Sequence, residues 1–177
     1  MNHNILKEIL ISESEISDVC NSLGKQITND YKNKDLILVG LLKGCIPFMS
    51  DLFKHIDLPV EVQYMVVSSY QGTTTSNELR IKYDLETPIA NRDVLIVEDI
   101  IDTGQTINTI TKMLKDRGAR SVEVVTLLNK TSNNNYIPKY VGFNIPNEFV
   151  VGYGLDFQEK YRNLPYIGIL KKEFYDK

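Results

Sequence analysis

The sequence lacks any long apolar segment: no uninterrupted apolar run in its 177 residues approaches the ~18 that a membrane-spanning helix needs. The N-terminus has no signal-peptide core. Cys20 and Cys45 are the only cysteines, which excludes a disulfide framework, and they do not have the spacing of metal ligands. We therefore expect a cytoplasmic protein without a membrane partner.

Positive charge is also scarce, with 20 Lys and Arg against 23 Asp and Glu, a net charge of −3 and a pI near 5.4. This balance argues against broad affinity for nucleic acid or anionic membranes. The chain also lacks internal repeats, low-complexity segments and linkers. Its length predicts a single domain, residues 1–177.

Two common phosphate-binding motifs are missing as well. No G-x-G-x-x-G follows a predicted strand, which excludes the dinucleotide fingerprint. The pair Gly24-Lys25 is followed by Gln26 rather than Ser or Thr, which excludes a P-loop.

The most informative segment that is present runs from Val94 to Ile107. Its first four residues are apolar and three are β-branched, which predicts a strand buried on both faces, as in a parallel sheet. We expect this strand to stop at Glu98 and Asp99. A short loop, residues 102–106, then leads into a helical pattern carried by Ile107, Ile110 and Leu114.

The loop places backbone N–H groups and two Thr hydroxyls at a helix N-terminus, where an anion such as phosphate is favoured. The neighbouring acids, Glu98, Asp99 and Asp102, would repel that anion unless they bind hydroxyls, a proton or Mg²⁺. Ribose hydroxyls and a magnesium-bound pyrophosphate satisfy these conditions together. The alternative is an ordinary strand-to-helix turn with a solvated acidic edge.

These 14 residues resemble the phosphoribosyl-pyrophosphate signature of type I phosphoribosyltransferases. The form Val-Glu-Asp-Ile-Ile-Asp-Thr-Gly is similar to the hypoxanthine-guanine branch. The resemblance implies an α/β fold with a central, mostly parallel sheet flanked by helices, a small hood and a flexible lid loop. It also implies purine salvage: transfer of the 5-phosphoribosyl group from phosphoribosyl pyrophosphate to N9 of hypoxanthine or guanine, giving IMP or GMP and pyrophosphate.

Lys43-Gly44 follows a second buried strand, residues 36–40, and so falls at the same carboxyl edge of the sheet, where ligands gather in open α/β folds. A solvated turn lysine is an equally good interpretation from the residues alone. The resemblance implies that this loop contacts pyrophosphate, often with a non-proline cis peptide before the lysine. Cys45 departs from the Gly-Gly often found there.

Residues 68–77 form a polar, aperiodic segment of about ten residues, longer than most connections. Composition alone favours a passive hairpin tip. The resemblance implies a lid that includes Ser69-Tyr70. A lid would exclude the water that otherwise traps a cationic sugar.

Lys130 and Phe149 are an ordinary surface lysine and core phenylalanine on composition alone. The segments Leu-Leu-x-Lys and Phe-Val-Val-Gly-Tyr-x-Leu-Asp nevertheless resemble the purine-binding segments of the branch, and the whole resemblance covers residues 36–170. It implies that Lys130 donates to O6 of a 6-oxopurine and disfavours adenine. It also implies that Phe149 stacks on the base and that the Val150 carbonyl accepts from its edge.

The remaining roles are also implied by the resemblance. Glu98 and Asp99 would hold the ribose hydroxyls, directly or through Mg²⁺, and Asp102 would be the general base near N7. Asp156, in the purine-binding segment, would serve a second Mg²⁺, and Arg162 would grip pyrophosphate. The 5′-phosphate would be bound by Thr103, Gly104, Gln105 and Thr106, of which Gln105 replaces a residue that is often basic.

Two rival functions stay open from the sequence. A regulatory protein on the same fold would bind nucleic acid, but it should show a basic face that this acidic chain lacks. A phosphoribosyltransferase for another base is the second rival, against which Lys130 and Phe149 favour 6-oxopurines. By analogy we expect a homodimer or homotetramer, with an interface on the N-terminal helix or the segment after Pro47.

Overall fold

The computed structural model describes residues 4–69, 79–131 and 135–176. The strands in these ranges are β1 Leu6–Ile11, β2 Leu36–Leu41, β3 Glu61–Ser69, β4 Leu79–Tyr83, β5 Asp93–Ile101, β6 Ser121–Lys130, β7 Tyr140–Ile145, β8 Val150–Val151 and β9 Ile167–Leu170. The helices are α1 Glu13–Asp30, α2 Ile46–Leu52 and α3 Gln105–Asp116, with 3₁₀ turns at Phe53–His55 and Lys172–Phe174.

The main sheet has six strands in the order β4-β3-β2-β5-β6-β7. All neighbours are parallel except β3 and β4, which are antiparallel at one edge. Val94 of β5 lies opposite Ile37 of β2 and Val122 of β6. This register brings the carboxyl ends of the three central strands to one edge and confirms the predicted mostly parallel sheet.

Helices cover both faces of this sheet, as the apolar runs of its central strands require. Along β2, Leu36 and Leu38 pack into one core cluster with α1 and α2. The alternate residues Ile37 and Val39 pack on the other face, in a second cluster with α3. The loop before α3 is therefore held by a helix that is fixed directly against the sheet.

A smaller antiparallel sheet has the order β1-β9-β8 and corresponds to the predicted hood. Ile9 of β1 lies opposite Gly168, and Val150 of β8 lies opposite Ile169. The N-terminal lead-in is thus a strand that pairs with β9, and β9 in turn pairs with the segment that carries Phe149 and Val150.

Two local predictions can be compared with the structure. The capping box at the start of α1 is confirmed, since the Glu15 N–H donates to Ser12 Oγ at 3.3 Å and the Ser12 N–H donates to Glu15 Oε2 at 2.8 Å. The prediction that the central strand stops at Glu98 is wrong. β5 continues to Ile101 because Glu98 and Ile100 still pair with β6.

In the part of the chain that the structure describes, no helix is both long and apolar enough to cross a membrane.

Leu114 is fully buried on α3, and Leu114→Ala should lower the free energy of unfolding by about 2–5 kcal/mol through a lost apolar contact and a cavity. Urea denaturation measures this loss. The matched control is Lys112→Ala on the exposed face of α3, which should change stability by no more than about 0.5 kcal/mol. Equal losses for the two variants would contradict the packing of α3 described above.

Candidate active site

The loop after β2 and the carboxylates of β5 meet at the carboxyl edge of the sheet. A Cβ atom at Gly44 would collide with the Asp99 carboxylate, so any larger residue would require this carboxylate to move. The Leu42–Lys43 peptide bond is cis, as the resemblance implies. Lys43 and Gly44 therefore lie beside the acidic pair Glu98 and Asp99.

Glu98 and Asp99 are carboxyl groups that have lost most of their water. Glu98 Oε2 is buried and has no hydrogen-bond partner among the described residues. Burial, and secondarily the charge of Asp99, raises the pKa of Glu98 well above its ordinary value. Burial likewise raises the pKa of Asp99 to about 6, against the opposing hydrogen bond from the Ile100 N–H at 2.9 Å. A buried oxygen without a partner suits a hard cation or a sugar hydroxyl.

The loop that begins α3 has the form of an anion site. Asp102 and Thr103 are exposed, and Gly104 caps the helix with a left-handed φ of 77°. The Gln105 N–H points back to Thr103 Oγ1 at 3.4 Å, and the exposed Thr106 lies in the first turn. The first N–H groups of a helix have no partner within it, so this turn presents donors to an anion.

Lys130 and Asp102 form an ion pair, with 3.1 Å between Lys130 Nζ and Asp102 Oδ2. Lys130 is the last residue of β6 and its side chain is only 11% exposed, whereas that of Asp102 is 50% exposed. These two residues were assigned separate roles from the sequence, and their contact was not predicted. A signal was present, since both follow adjacent parallel strands at the same sheet edge.

A second group of charges lies in residues 154–162. Arg162 donates from Nη1 to the Gly154 carbonyl oxygen at 2.6 Å, and its Nη2 is 2.7 Å from Asp156 Oδ1. Glu159 Oε2 is 2.9 Å from Lys43 Nζ and 3.6 Å from Arg162 Nη2. Glu159, which contacts both cations assigned to pyrophosphate, was not predicted from the sequence.

The residues assigned to the purine lie on and next to β8. The Phe149 ring is 36% exposed, stacks on Tyr175 at 5.0 Å between ring centroids, and meets Phe157 edge-on at 5.8 Å. Val150 is buried beside it. Tyr175 was not identified from the sequence. Of the lid residues, Ser69 ends β3 and Tyr70 lies outside the described residues.

Within the described ranges, no group of three or more His, Cys, Asp or Glu side chains is arranged to hold a metal ion. Glu98 and Asp99 are adjacent near the end of β5, and Asp156 is close enough for its charge to raise the pKa of Asp99. Any metal at this edge would have to complete its coordination with oxygens of a bound ligand or of water.

Comparison with known proteins agrees with this geometry. Residues 8–158 match the model of the phosphoribosyl transferase domain. The chain is 53% identical over 176 residues to a hypoxanthine-guanine phosphoribosyltransferase of Staphylococcus aureus, with 98% of each chain covered. It is 52% identical over 178 residues to the corresponding protein of Streptococcus pneumoniae, with 99% of each covered.

Solved structures give the same result. A hypoxanthine phosphoribosyltransferase from Staphylococcus aureus superposes with a TM-score of 0.95 at 52% identity, over 100% of both chains. One from Trypanosoma cruzi, in complex with the product IMP, superposes with a TM-score of 0.93 at 36% identity, over 99% of this chain and 100% of that one. The chain belongs to the hypoxanthine-guanine phosphoribosyltransferase family, with the type I phosphoribosyltransferase fold.

The raised pKa of Asp99 predicts a pH dependence of stability. The folded protein binds this proton more tightly than the unfolded chain does, so the free energy of unfolding falls as pH rises from about 4 through the folded pKa of about 6. Asp99→Asn keeps an acceptor for the Ile100 N–H but removes the charge. The free energy of unfolding of Asp99→Asn should therefore decrease between pH 4 and pH 8 by about 2 kcal/mol less than that of the wild type. Urea denaturation in EDTA measures this difference.

The control is Asp18→Asn, which makes the same charge change on an exposed position of α1 and should keep the wild-type slope. An Asp99→Asn protein whose stability falls as steeply as that of the wild type would contradict the assigned pKa.

Proposed function

We propose that the chain, a single domain over residues 1–177, transfers the 5-phosphoribosyl group from phosphoribosyl pyrophosphate to N9 of hypoxanthine or guanine in purine salvage. The products are IMP or GMP and pyrophosphate. The observation that carries this function is the β5–loop–α3 unit, which combines an anion site with the carboxylates Glu98, Asp99 and Asp102. The 6-oxopurine specificity is supported by the relatives named above.

Phosphoribosyl pyrophosphate would bind along the carboxyl edge of the sheet. Its 5′-phosphate is assigned to the donors of residues 103–106, at the positive end of α3. Its pyrophosphate is assigned to Lys43, to the Gly44 backbone and to Arg162, whose guanidinium offers several donors in one plane. Lys43 and Arg162 already share Glu159 as a counter-charge, which supports the assignment of both to one anion.

Glu98 and Asp99 would hold the ribose hydroxyls directly or through Mg²⁺, and Asp156 would serve a second Mg²⁺. The donor set fits this ion, because magnesium prefers carboxylate oxygens and the buried Glu98 Oε2 has no other partner in the described structure. When bound, Mg²⁺ would supply charge neutralisation at pyrophosphate.

The ion pair of Lys130 and Asp102 suits a 6-oxopurine, because it presents one donor and one acceptor 3.1 Å apart. O6 of the base would accept from Lys130 while Asp102 faces N7. Tyr175 already stacks on the Phe149 ring. The purine would therefore stack on the face of the Phe149 ring that remains exposed. The Val150 carbonyl would accept from the base edge.

In the reaction, N9 of the base forms a bond to C1′ as the bond from C1′ to the pyrophosphate oxygen breaks. The base loses one proton, which we assign to Asp102 as general base. Arg162 and Lys43 stabilise the negative charge that grows on pyrophosphate, and the carboxylates of β5 tolerate the positive charge on the sugar. Holding both substrates at one sheet edge supplies part of the rate.

We also propose a cytoplasmic location and a homodimer or homotetramer. Both cysteines are free, buried thiols, as is usual in a reducing compartment. By analogy with the family, we place the interface on α1 or on the segment after Pro47.

The function is tested by measuring pyrophosphate release from phosphoribosyl pyrophosphate, with Mg²⁺ and each of hypoxanthine, guanine and xanthine. Release should depend on a 6-oxopurine, and the three values of kcat/KM rank the substrates. A protein that releases no pyrophosphate but shifts DNA in a gel would instead be the regulatory rival.

Asp102→Asn should lower kcat by ~10²-fold or more while binding of phosphoribosyl pyrophosphate persists, because the amide cannot take the proton. Steady-state kinetics and a binding titration measure the two effects. Asp116→Asn, at the other end of α3, is the control and should leave kcat unchanged. Near-normal turnover in Asp102→Asn would remove this residue from the role of base.

Lys130 should set the choice between oxo- and aminopurines, because adenine places a donor where the lysine also donates. Wild-type kcat/KM for adenine should be ~10²-fold or more below that for hypoxanthine. Lys130→Gln should narrow this gap by ~10-fold or more, since its amide oxygen accepts from an amino group. Lys112→Gln is the surface control, and a gap unchanged in Lys130→Gln would contradict the assignment.

A further inference from the structure

Tyr153 lies in an unusual backbone conformation close to the active site. It has a φ of 48° and stands between Gly152 and Gly154, with φ values of 101° and 99°. The two glycines adopt a positive φ readily, but a tyrosine in this region is uncommon. Such a conformation persists only where the surrounding contacts enforce it.

Tyr153 is held at its backbone, where its N–H donates to the Leu164 carbonyl oxygen at 2.8 Å, and also by its side chain. The hydroxyl donates to Asp51 Oδ2 at 2.6 Å and lies 3.3 Å from the Pro47 carbonyl oxygen. Both partners belong to α2, where Asp51 also pairs with Lys54 at 3.0 Å. Burial, and secondarily the bond to Asp51, raises the pKa of Tyr153, so the hydroxyl keeps its proton and remains the donor.

On the Tyr153 side of this hydrogen bond, the neighbouring residue Gly154 contacts Arg162. Gly154, next to Tyr153, donates its N–H to the Arg162 carbonyl oxygen at 2.9 Å and accepts from Arg162 Nη1 at 2.6 Å. Arg162 is thus gripped at its backbone and at its guanidinium by a single glycine. Displacing the backbone at Tyr153 would move both attachments.

On the α2 side of the same hydrogen bond, the helix follows the loop after β2. Pro47 is in the first turn of α2, three residues after Gly44. A Cβ atom at Gly154 would collide with the Gly44 carbonyl oxygen, so the two loops are in direct backbone contact. The groups assigned to pyrophosphate therefore belong to two separate segments, residues 42–45 and 154–162, which the Tyr153 hydroxyl joins through α2.

We propose that Tyr153, through its hydrogen bond to Asp51, positions the two loops that bind the pyrophosphate of phosphoribosyl pyrophosphate. The inference rests on the proposed function. Tyr153 is a positioning residue, because its hydroxyl points to α2 and contacts neither assigned substrate site.

The test compares Tyr153→Phe with Tyr140→Phe, in the full chain with Mg²⁺. Tyr140 is a matched control, since its hydroxyl also donates to a helix aspartate, Asp30, at 2.6 Å, but joins β7 to α1 away from both loops. Tyr153→Phe should raise KM for phosphoribosyl pyrophosphate and Ki for pyrophosphate by ~10-fold, the loss of one hydrogen bond to a charged group. KM for hypoxanthine should change by less than about 2-fold.

Tyr140→Phe should leave all three constants unchanged, although it removes the same kind of bond. A Tyr153→Phe enzyme with wild-type constants for phosphoribosyl pyrophosphate and pyrophosphate would overturn the inference, as would equal changes in the two variants. Wild-type protein that releases no pyrophosphate would instead overturn the proposed function.

A second pair of variants tests the same contact from α2. Asp51→Ala should raise KM for phosphoribosyl pyrophosphate as Tyr153→Phe does, whereas Asp51→Asn keeps an acceptor oxygen and should retain most of the affinity. In the Asp51→Ala background, Tyr153→Phe should raise KM for phosphoribosyl pyrophosphate by less than about a further 2-fold, because both changes remove the same hydrogen bond. Independent, multiplying effects would overturn the proposal.

Discussion

Parallel pairing of β5 with β2 on one side and β6 on the other is the constraint on which the site depends. Because the three strands run in the same direction and in near-equal register, they end at one edge. Lys43, Asp99 and Lys130 are far apart in sequence and are neighbours for this reason. The strand pairing that sets this register therefore also sets which charged side chains lie at the same edge.

Much of this arrangement could be predicted from the sequence because its causes are local. The β5–loop–α3 unit follows from a β-branched run, a turn and a helical period, and the α1 cap from Ser12 and Glu15. The extent of β5 was underestimated since pairing with a neighbouring strand is not visible in the strand itself. Family resemblance, rather than residue chemistry, was needed to single out Lys130 and Phe149.

The contacts that were missed depend on tertiary geometry. Glu159 reaches Lys43 because residues 158, 159 and 161 adopt left-handed φ values of 53°, 60° and 74° without a glycine, and no local sequence signal marks such a turn. Tyr175 stacks on Phe149 although it lies far from it in the sequence. Side-chain pairing across a sheet edge requires knowledge of both the register and the path of the loops.

The ion pairs of the site differ in how readily a substrate can open them. Lys43 and Glu159 have side chains 66% and 68% exposed, so water screens their attraction and pyrophosphate can replace the pairing at little cost. Lys130 is 11% exposed, and removing its partner would leave a charge nearly out of water. The purine should therefore share the pair of Lys130 and Asp102 rather than break it. The exposed pair of Lys43 and Glu159 can therefore exchange partners when pyrophosphate binds. The more buried Lys130 stays paired with Asp102 while it selects the base.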